Sequence, residues 1–87
     1  LAQEWAGDGI RVNAVCPGVV DTPMHADAFG VDAAAYAEHL KALGALHPLG
    51  RVGTPEEVAA MIAFLCSPAA AWTTGGLYPV DGGISLT

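Results

Sequence analysis

The stretch that most constrains the fold of this chain runs from residue 10 to residue 22 (IRVNAVCPGVVDT). Residues 10–16 predict a strand with apolar side chains on both faces, which is typical of a strand covered on both sides in a parallel sheet. Pro17 cannot donate to a strand ladder, and Gly18 leaves space beside the backbone because it has no Cβ. A strand, a Pro-Gly pair and a helix start at Pro23 form the layout of a ligand-facing loop at the carboxyl end of a parallel strand. Taken alone, this stretch favours the simpler interpretation, in which the Pro-Gly pair only separates a strand from a helix.

The composition bears on the class of function. Three basic residues stand against nine acidic ones, giving a net charge of −6, and no Lys/Arg cluster is present to displace counterions from nucleic-acid phosphates. No apolar run reaches the roughly 18–20 residues that a membrane-spanning helix needs. Cys16 and Cys66 lack CxxC spacing and a nearby His pair, so we expect no metal site and no disulfide, but two small buried hydrophobic side chains. This cysteine usage predicts a reducing, cytoplasmic location.

Residues 32–44 predict a short amphipathic helix between two loops. Asp32 is a suitable N-cap for a helix over residues 33–43, and Gly44 can close it. One apolar stripe runs along this helix at positions i, i+4 and i+7: Tyr36, Leu40 and Leu43. A helix between loops could be a lid over a pocket, but the pattern by itself favours an ordinary connecting helix.

A second helix and a second strand are predicted in the last third of the chain. The sequence TPEE at residues 54–57 predicts a capping box with proline at the first helical position, and Ser67-Pro68 ends that helix. Leu77–Val80 is then a short strand, and Pro79 points to a sheet edge because proline cannot donate to a ladder. The two strands and their helices make one βαβ-type crossover with parallel strands. Two strands are too few for a viable sheet, so we expect a fragment of a larger α/β domain.

The sequence offers a place to hold a ligand but no visible catalytic machinery. The three histidines are scattered and form neither a Ser/His/Asp grouping nor a metal-binding pattern. Tyr36 and Lys41 are five residues apart, which turns them to different faces of a helix and excludes them as a Tyr-x-x-x-Lys acid–base pair. The loop from Pro17 to Thr22 remains, because its backbone amides and the Thr22 hydroxyl are able to hydrogen-bond an amide or a phosphate.

In the order of its motifs the chain resembles the C-terminal third of a short-chain dehydrogenase/reductase. IRVNAV at residues 10–15, then Pro17-Gly18 with Thr22 four residues after the glycine, is similar to that family's penultimate strand and nicotinamide loop. HPLGRVG followed by TPEEVA, at residues 47–59, is similar to the segment that leads into the family's last large helix. The run to the family's last strand is similar to three further motifs: FLCS at 64–67, Thr74-Gly75, and VDGG at 80–83.

The resemblance implies an α/β fold with a doubly wound, Rossmann-type parallel sheet, of which residues 1–87 supply the last two strands of one NAD(P)-binding domain. It implies an oxidoreductase that interconverts an alcohol and a ketone with NAD or NADP as cofactor. In this family Pro17 and Gly18 would shape the loop, Val20 would contact the nicotinamide carboxamide through its backbone, and Thr22 would contact nicotinamide or phosphate. The following segment would cover the substrate, with these candidate contacts: Met24, His25, Phe29, Tyr36 and Leu40.

The resemblance also implies limits and leaves an alternative. The family's Gly-rich cofactor loop, its Asn-Ala-Gly segment, its catalytic Ser and its Tyr-x-x-x-Lys have no counterpart here, so we expect no catalytic residue and no activity from these residues alone. Residues 54–67 and Leu77–Val80 would form the interface of a homotetramer or dimer. The alternative is a short, non-catalytic interaction module that dimerises through the same surface.

Overall fold

The computed structural model of the chain describes residues 1–23 and 32–87. Within these residues the regular elements are, in chain order, helix α1 (Ala2–Trp5), strand β1 (Ala14–Pro17), helix α2 (Ala33–Gly44), helix α3 (Pro55–Cys66) and strand β2 (Leu77–Val80). Short 3-10 helices lie at Ala6–Asp8, Pro68–Ala70 and Ile84–Leu86. The predicted bounds of α2, α3 and β2 are confirmed to within one residue.

The two strands pair in parallel and lie against α3. In the register of the pair, Ala14 is opposite Leu77 and Val15 is opposite Tyr78. Helix α3 contacts both strands, and Val15 lines a shallow cavity together with side chains of α3. Val15 and Tyr78 are half-buried, whereas Ala14 and Leu77 are exposed. One face of the sheet is therefore covered and the other is open, and the predicted α/β class with parallel strands is confirmed.

The first strand is shorter than predicted, because it begins at Ala14 and not at residue 10. In front of it, the Gly75 amide donates to the Val12 carbonyl oxygen over 2.7 Å, and side-chain hydrogen bonds add to this backbone bond. The amide of Val12 donates to the Thr74 hydroxyl over 3.0 Å, and the Asn13 side chain both donates to and accepts from backbone groups of the same connection. The apolar pattern in the sequence is thus longer than the paired strand. The pairing is short because the partner strand β2 is only four residues long.

The predicted burial of the two cysteines is wrong, because both are free and exposed. Cys16 lies opposite Pro79 in the register, on the open face of the sheet. Cys66 is the last residue of α3, where the helix ends at the surface. Each cysteine sits in an apolar element, as predicted, but within residues 1–23 and 32–87 no further layer covers it.

The hydrophobic core is small for a chain of this size. Among the described residues, the buried apolar side chains are Leu65, 7% exposed, and Ala70, 1% exposed. The accessible surface is 6018 Å², whereas a compact monomer of this mass exposes about 4,800 Å². The Cα radius of gyration is 16.2 Å, against about 12 Å for a compact chain of this length. The chain therefore buries less of its apolar surface than an independent domain does.

The start of α3 combines the predicted capping box with an ion pair. The Glu57 amide donates to the Thr54 hydroxyl, and a Glu57 carboxylate oxygen accepts from the Thr54 amide over 3.0 Å. Arg51 donates to both carboxylate oxygens of Glu57, each over 2.7 Å. Hydrogen bonds from Arg51, and then from the Thr54 amide, lower the pKa of Glu57 to about 2. The predicted capping box is confirmed, and Arg51 extends it.

The other end of α3 is capped by Arg11, a residue that the sequence pattern did not single out. Its guanidinium donates to the carbonyl oxygens of Leu65 over 2.8 Å, Thr73 over 3.2 Å and Ser67 over 3.4 Å. A cation at a helix C-terminus is favourable because the last carbonyl oxygens lack partners within the helix. Arg11 thereby ties the segment before β1 to the helix that packs on the sheet.

The folded chain should lose stability as the pH falls from 4.5, the ordinary pKa of a glutamate, towards about 2, the pKa of Glu57 in the folded chain. The pKa of Glu57 is lowered by folding, so its contribution is present above the unfolded value and is lost as the carboxyl is protonated in the folded state. Glu57→Gln should remove this part of the acid sensitivity, measured as the denaturation midpoint against pH. Glu56→Gln, in the same helical turn, is the matched control, and equal effects of the two variants would contradict a specific role for Glu57.

Candidate functional site

The predicted ligand loop, residues 17–22 and here named the β1 loop, leaves the carboxyl end of β1 beside the end of β2. Pro17 is the last residue of β1 and lies opposite Val80. The Gly18 amide donates to the Val80 carbonyl oxygen over 3.1 Å. A Cβ added at Gly18 would lie 2.9 Å from both the Cα and the Cβ of Asp81. The space predicted beside Gly18 for another molecule is thus taken by Asp81, and the glycine is required for a contact within the chain.

The middle of the β1 loop is fastened to Gly53 by a parallel bridge with Val20. The Gly53 amide donates to the Val19 carbonyl oxygen over 2.9 Å, and the Asp21 amide donates to the Gly53 carbonyl oxygen over 3.0 Å. Because Gly53 bonds to the residues on either side of Val20, the N–H and C=O of Val20 itself point away from Gly53. Both main-chain groups of Val20 therefore face the side of the loop where an amide-bearing ligand can be hydrogen-bonded.

Helix α2 contacts the β1 loop through Tyr36. The Tyr36 hydroxyl donates to Oδ1 of Asp21. This hydrogen bond is the main reason why the pKa of Tyr36 is raised to about 12, since a phenolate would face the Asp21 carboxylate. Leu40 lies one turn further along α2 and, like Tyr36, is half-buried. The structure therefore brings the predicted lid helix and the predicted cofactor loop together. Sequence reasoning missed Asp21 because a single carboxylate in a loop carries no periodic signal.

The remaining predicted site residues fall into two groups. Thr22 is half-buried at the end of the β1 loop. Three predicted substrate contacts lie outside the described residues: Met24, His25 and Phe29.

Across residues 1–23 and 32–87, no group of three or more His, Cys, Asp or Glu side chains is arranged to hold a metal ion. In the same part of the chain, no helix has the length and apolar character needed to cross a bilayer.

A cavity of about 500 Å³ lies between the start of α3 and the turn after β2. Its wall is mainly apolar and includes Val19, Pro48, Leu49, Val58, Pro79, Val80 and Leu86. The ion pair of Arg51 and Glu57 lies on its polar side. Of the described residues that line it, only Val19 belongs to the β1 loop. The cavity therefore lies on the surface that was predicted as a subunit interface, and the predicted cofactor contacts are outside its wall.

The turn after β2 is packed against a buried histidine that sequence reasoning did not single out. His47 is 4% exposed, and its Nδ1 lies 2.8 Å from the Leu43 carbonyl oxygen at the end of α2. Because a carbonyl oxygen only accepts, Nδ1 carries the proton, and Nε2 has no hydrogen-bond partner among the described residues. The ring lies against Gly82, where an added Cβ would be 3.4 Å from the His47 side chain. His47 thus joins the end of α2 to the turn that contacts Gly18.

Comparison with known proteins identifies a shared segment. A profile of the family described as Enoyl-(Acyl carrier protein) reductase matches residues 1–85. Two tropinone reductase homologues of Arabidopsis thaliana are 49% identical over 89 residues and 50% identical over 86 residues, and each alignment covers 99% of this chain. Ligand-free aldohexose dehydrogenase of Thermoplasma acidophilum superposes with a TM-score of 0.90 at 39% identity, covering 99% of this chain and 35% of that one.

A second solved structure agrees with the first. A short chain dehydrogenase family protein of Francisella tularensis superposes with a TM-score of 0.82 at 37% identity, covering 100% of this chain and 38% of that one. The chain spans only 26% and 30% of the lengths of the two Arabidopsis relatives. The fold and the motifs quoted above are therefore shared with one segment of longer proteins.

Gly18→Ala should lower the free energy of unfolding by about 1–3 kcal/mol, because the added methyl group meets the backbone of Asp81 and something has to shift. Gly7→Ala is the matched control, since a Cβ there meets nothing within 4 Å and its effect should stay within about 0.5 kcal/mol. Denaturant unfolding of both variants gives the comparison. Equal stability of the two would show that the close approach at Gly18 is not required.

Tyr36 should ionise later than an ordinary tyrosine. In a Tyr78→Phe background, which leaves Tyr36 as the only tyrosine of these 87 residues, tyrosinate absorbance should appear near pH 12. Asp21→Asn removes the negative charge that opposes the phenolate, so the transition should move towards the ordinary value of 10.0. An unchanged transition in Asp21→Asn would contradict the contact between the two side chains.

Proposed function

Because this chain belongs to the short-chain dehydrogenase/reductase family, we propose that it forms the C-terminal part of a longer NAD(P)-dependent oxidoreductase. The whole protein interconverts an alcohol and a ketone by hydride transfer, and residues 1–87 complete its single Rossmann-type domain. The observation that carries this proposal is the orientation of Val20, whose main-chain groups point away from Gly53. The β1 loop lies at the carboxyl edge of a parallel sheet, which is where open α/β sheets bind their ligands.

The proposed role of the β1 loop is to orient the cofactor. NAD or NADP, when bound, supplies or accepts the hydride. The main chain of Val20 hydrogen-bonds the nicotinamide carboxamide, and the hydroxyl and amide of Thr22 hydrogen-bond nicotinamide or phosphate. Pro17 and Gly18 act indirectly, since Pro17 ends β1 and Gly18 permits the approach to Asp81 that fixes the start of the loop. Proton transfer falls to residues outside this chain, so the contribution made here is positioning.

The proposed substrate side is formed by the segment that follows the loop. Tyr36 and Leu40 lie on α2 beside the β1 loop, in support of a lid that covers an alcohol or ketone. The other proposed contacts are Met24, His25 and Phe29. This mixture of apolar and aromatic side chains fits a moderately apolar substrate. The names of the relatives do not identify the substrate, since two are named for tropinone reductase and one for aldohexose dehydrogenase.

The proposed assembly is a homotetramer or homodimer in the cytoplasm, formed through α3 and β2. Support comes from large apolar side chains on α3 that remain partly exposed: Ile62 is 47% exposed and Phe64 48%. The mainly apolar cavity beside the start of α3 is lined by residues of both elements, among them Val58 and Val80. The two free cysteines are compatible with the reducing compartment that we propose.

The second candidate is a short, non-catalytic interaction module, which the same exposed apolar surface favours. The coding sequence upstream of Leu1 separates the two candidates. A reading frame that continues through a Gly-rich strand–turn–helix and a Tyr-x-x-x-Lys supports the oxidoreductase. A start codon immediately before Leu1, with a folded product of 87 residues, would support the module.

In the full-length protein, Thr22→Val should weaken NAD(P) binding by about 2- to 10-fold, because one hydrogen bond is lost while the shape of the side chain is kept. Titration of the cofactor against the purified protein measures this. Thr87→Val is the matched control, since Thr87 is exposed and its hydroxyl donates to the Ile84 carbonyl oxygen, three residues before it. Unchanged cofactor affinity and turnover in Thr22→Val would show that the proposed role of Thr22 is wrong.

A further inference from the structure

We propose that Tyr36 and Asp21 form a positioning pair that fastens the β1 loop to helix α2 and thereby sets the affinity of the cofactor site. The inference rests on the proposed function, in which the β1 loop holds the nicotinamide. It gives Tyr36 a role different from the substrate contact expected from the resemblance. Tyr36 acts through Asp21, so it is a positioning residue.

Among the described residues, the middle of the β1 loop is bonded through its backbone on one side, to Gly53. Gly53 bonds to Val19 and to the amide of Asp21, which holds that side of the loop. The side chain of Asp21 leaves the loop and accepts the hydrogen bond of the Tyr36 hydroxyl. Asp21 is therefore held twice, by its amide at Gly53 and by its carboxylate at Tyr36.

Helix α2 is joined at its C-terminal end to the same segment that presents Gly53. A Cβ added at Gly44, the last residue of α2, would lie 3.0 Å from the Cα of Arg51. Two residues beyond Arg51, Gly53 forms the bridge to the β1 loop. The buried ring of His47 lies between, with its Nδ1 at the Leu43 carbonyl oxygen. The end of α2 and the bridge to the loop are thus parts of one packed segment.

The hydrogen bond between Tyr36 and Asp21 closes this arrangement into a ring. Tyr36 lies near the start of α2, which Asp32 caps through the Ala35 amide over 3.0 Å. The ring runs from the β1 loop through Gly53 to the end of α2, back along the helix to Tyr36, and across to Asp21. This hydrogen bond links the start of α2 directly to the β1 loop.

The position of Asp21 in the loop explains how the pair affects cofactor binding. Asp21 lies between the two residues proposed to contact the cofactor, Val20 and Thr22, so any movement of Asp21 moves both. The Tyr36 hydroxyl has a single proton, and that proton is donated to Asp21, so it is not available as a donor to a substrate. A loop that is already fastened loses less conformational entropy when the cofactor binds, so binding is tighter.

The experiment compares four variants of the full-length protein: Tyr36→Phe, Asp21→Ala, Asp21→Asn and the double variant Tyr36→Phe/Asp21→Ala. We expect Tyr36→Phe and Asp21→Ala each to raise the Kd and KM of NAD(P) by about 3- to 10-fold, with kcat within about twofold. The double variant should be no worse than either single one, because both remove the same interaction. Asp21→Asn retains an acceptor oxygen and should recover part of the affinity. Tyr78→Phe, which removes the other hydroxyl of this kind, should leave all values unchanged.

A readout without cofactor accompanies the kinetics. Amide hydrogen exchange at residues 19–22 of the free protein should be faster in Tyr36→Phe and Asp21→Ala than in the parent or in Tyr78→Phe. Three results would overturn the proposal: unchanged cofactor Kd and exchange in Tyr36→Phe, additive effects in the double variant, or a raised KM for the substrate alone. Failure of the parent protein to bind NAD or NADP would overturn the proposed function instead. The amide exchange rates of the free protein would then still test whether the Tyr36–Asp21 pair holds the loop, because that measurement needs no cofactor.

Discussion

The parallel pairing of β1 with β2 is the interaction on which the rest of this structure depends. The paired residues Ala14 and Leu77 are far apart in the sequence, so the pairing encloses most of the chain between them. It brings the end of one strand beside the end of the other, where Gly18 meets Asp81 at a distance that no other residue allows without a shift. Side-chain bonds around Asn13 support the pairing at its other end. The start of the β1 loop is fixed as a result.

The candidate site is the backbone of the β1 loop, and contacts with other parts of the chain fix its conformation. The β1 loop is bonded to Gly53 and to β2 through main-chain groups, and Tyr36 adds a side-chain bond from α2. These contacts leave the main chain of Val20 turned away from Gly53, which is what a hydrogen-bonding contact to a ligand requires. The role that we propose for this segment is therefore to position a ligand.

Apolar side chains remain uncovered on two surfaces of the described chain. The open face of the sheet carries Cys16 and Leu77, which would be buried if another layer lay on that face. Helix α3 carries the partly exposed side chains of Ile62 and Phe64, and the mainly apolar cavity begins at its first turn. The first surface is of the kind that the rest of a doubly wound sheet covers, and the second is of the kind that another subunit covers.

The sequence by itself determined the elements whose signals are local. The Asp32 cap and the capping box of Thr54 and Glu57 act over three residues, so their side chains and partners are adjacent in the chain and were predicted correctly. Only the tertiary structure decided where β1 begins, because its pairing starts where β2 starts, with Ala14 opposite Leu77. The same holds for the partner of Tyr36, 15 residues away, and for the capping of α3 by Arg11, 54 residues from Leu65. These contacts depend on how the elements pack, and no periodicity along the chain encodes a bond between single side chains that folding brings together.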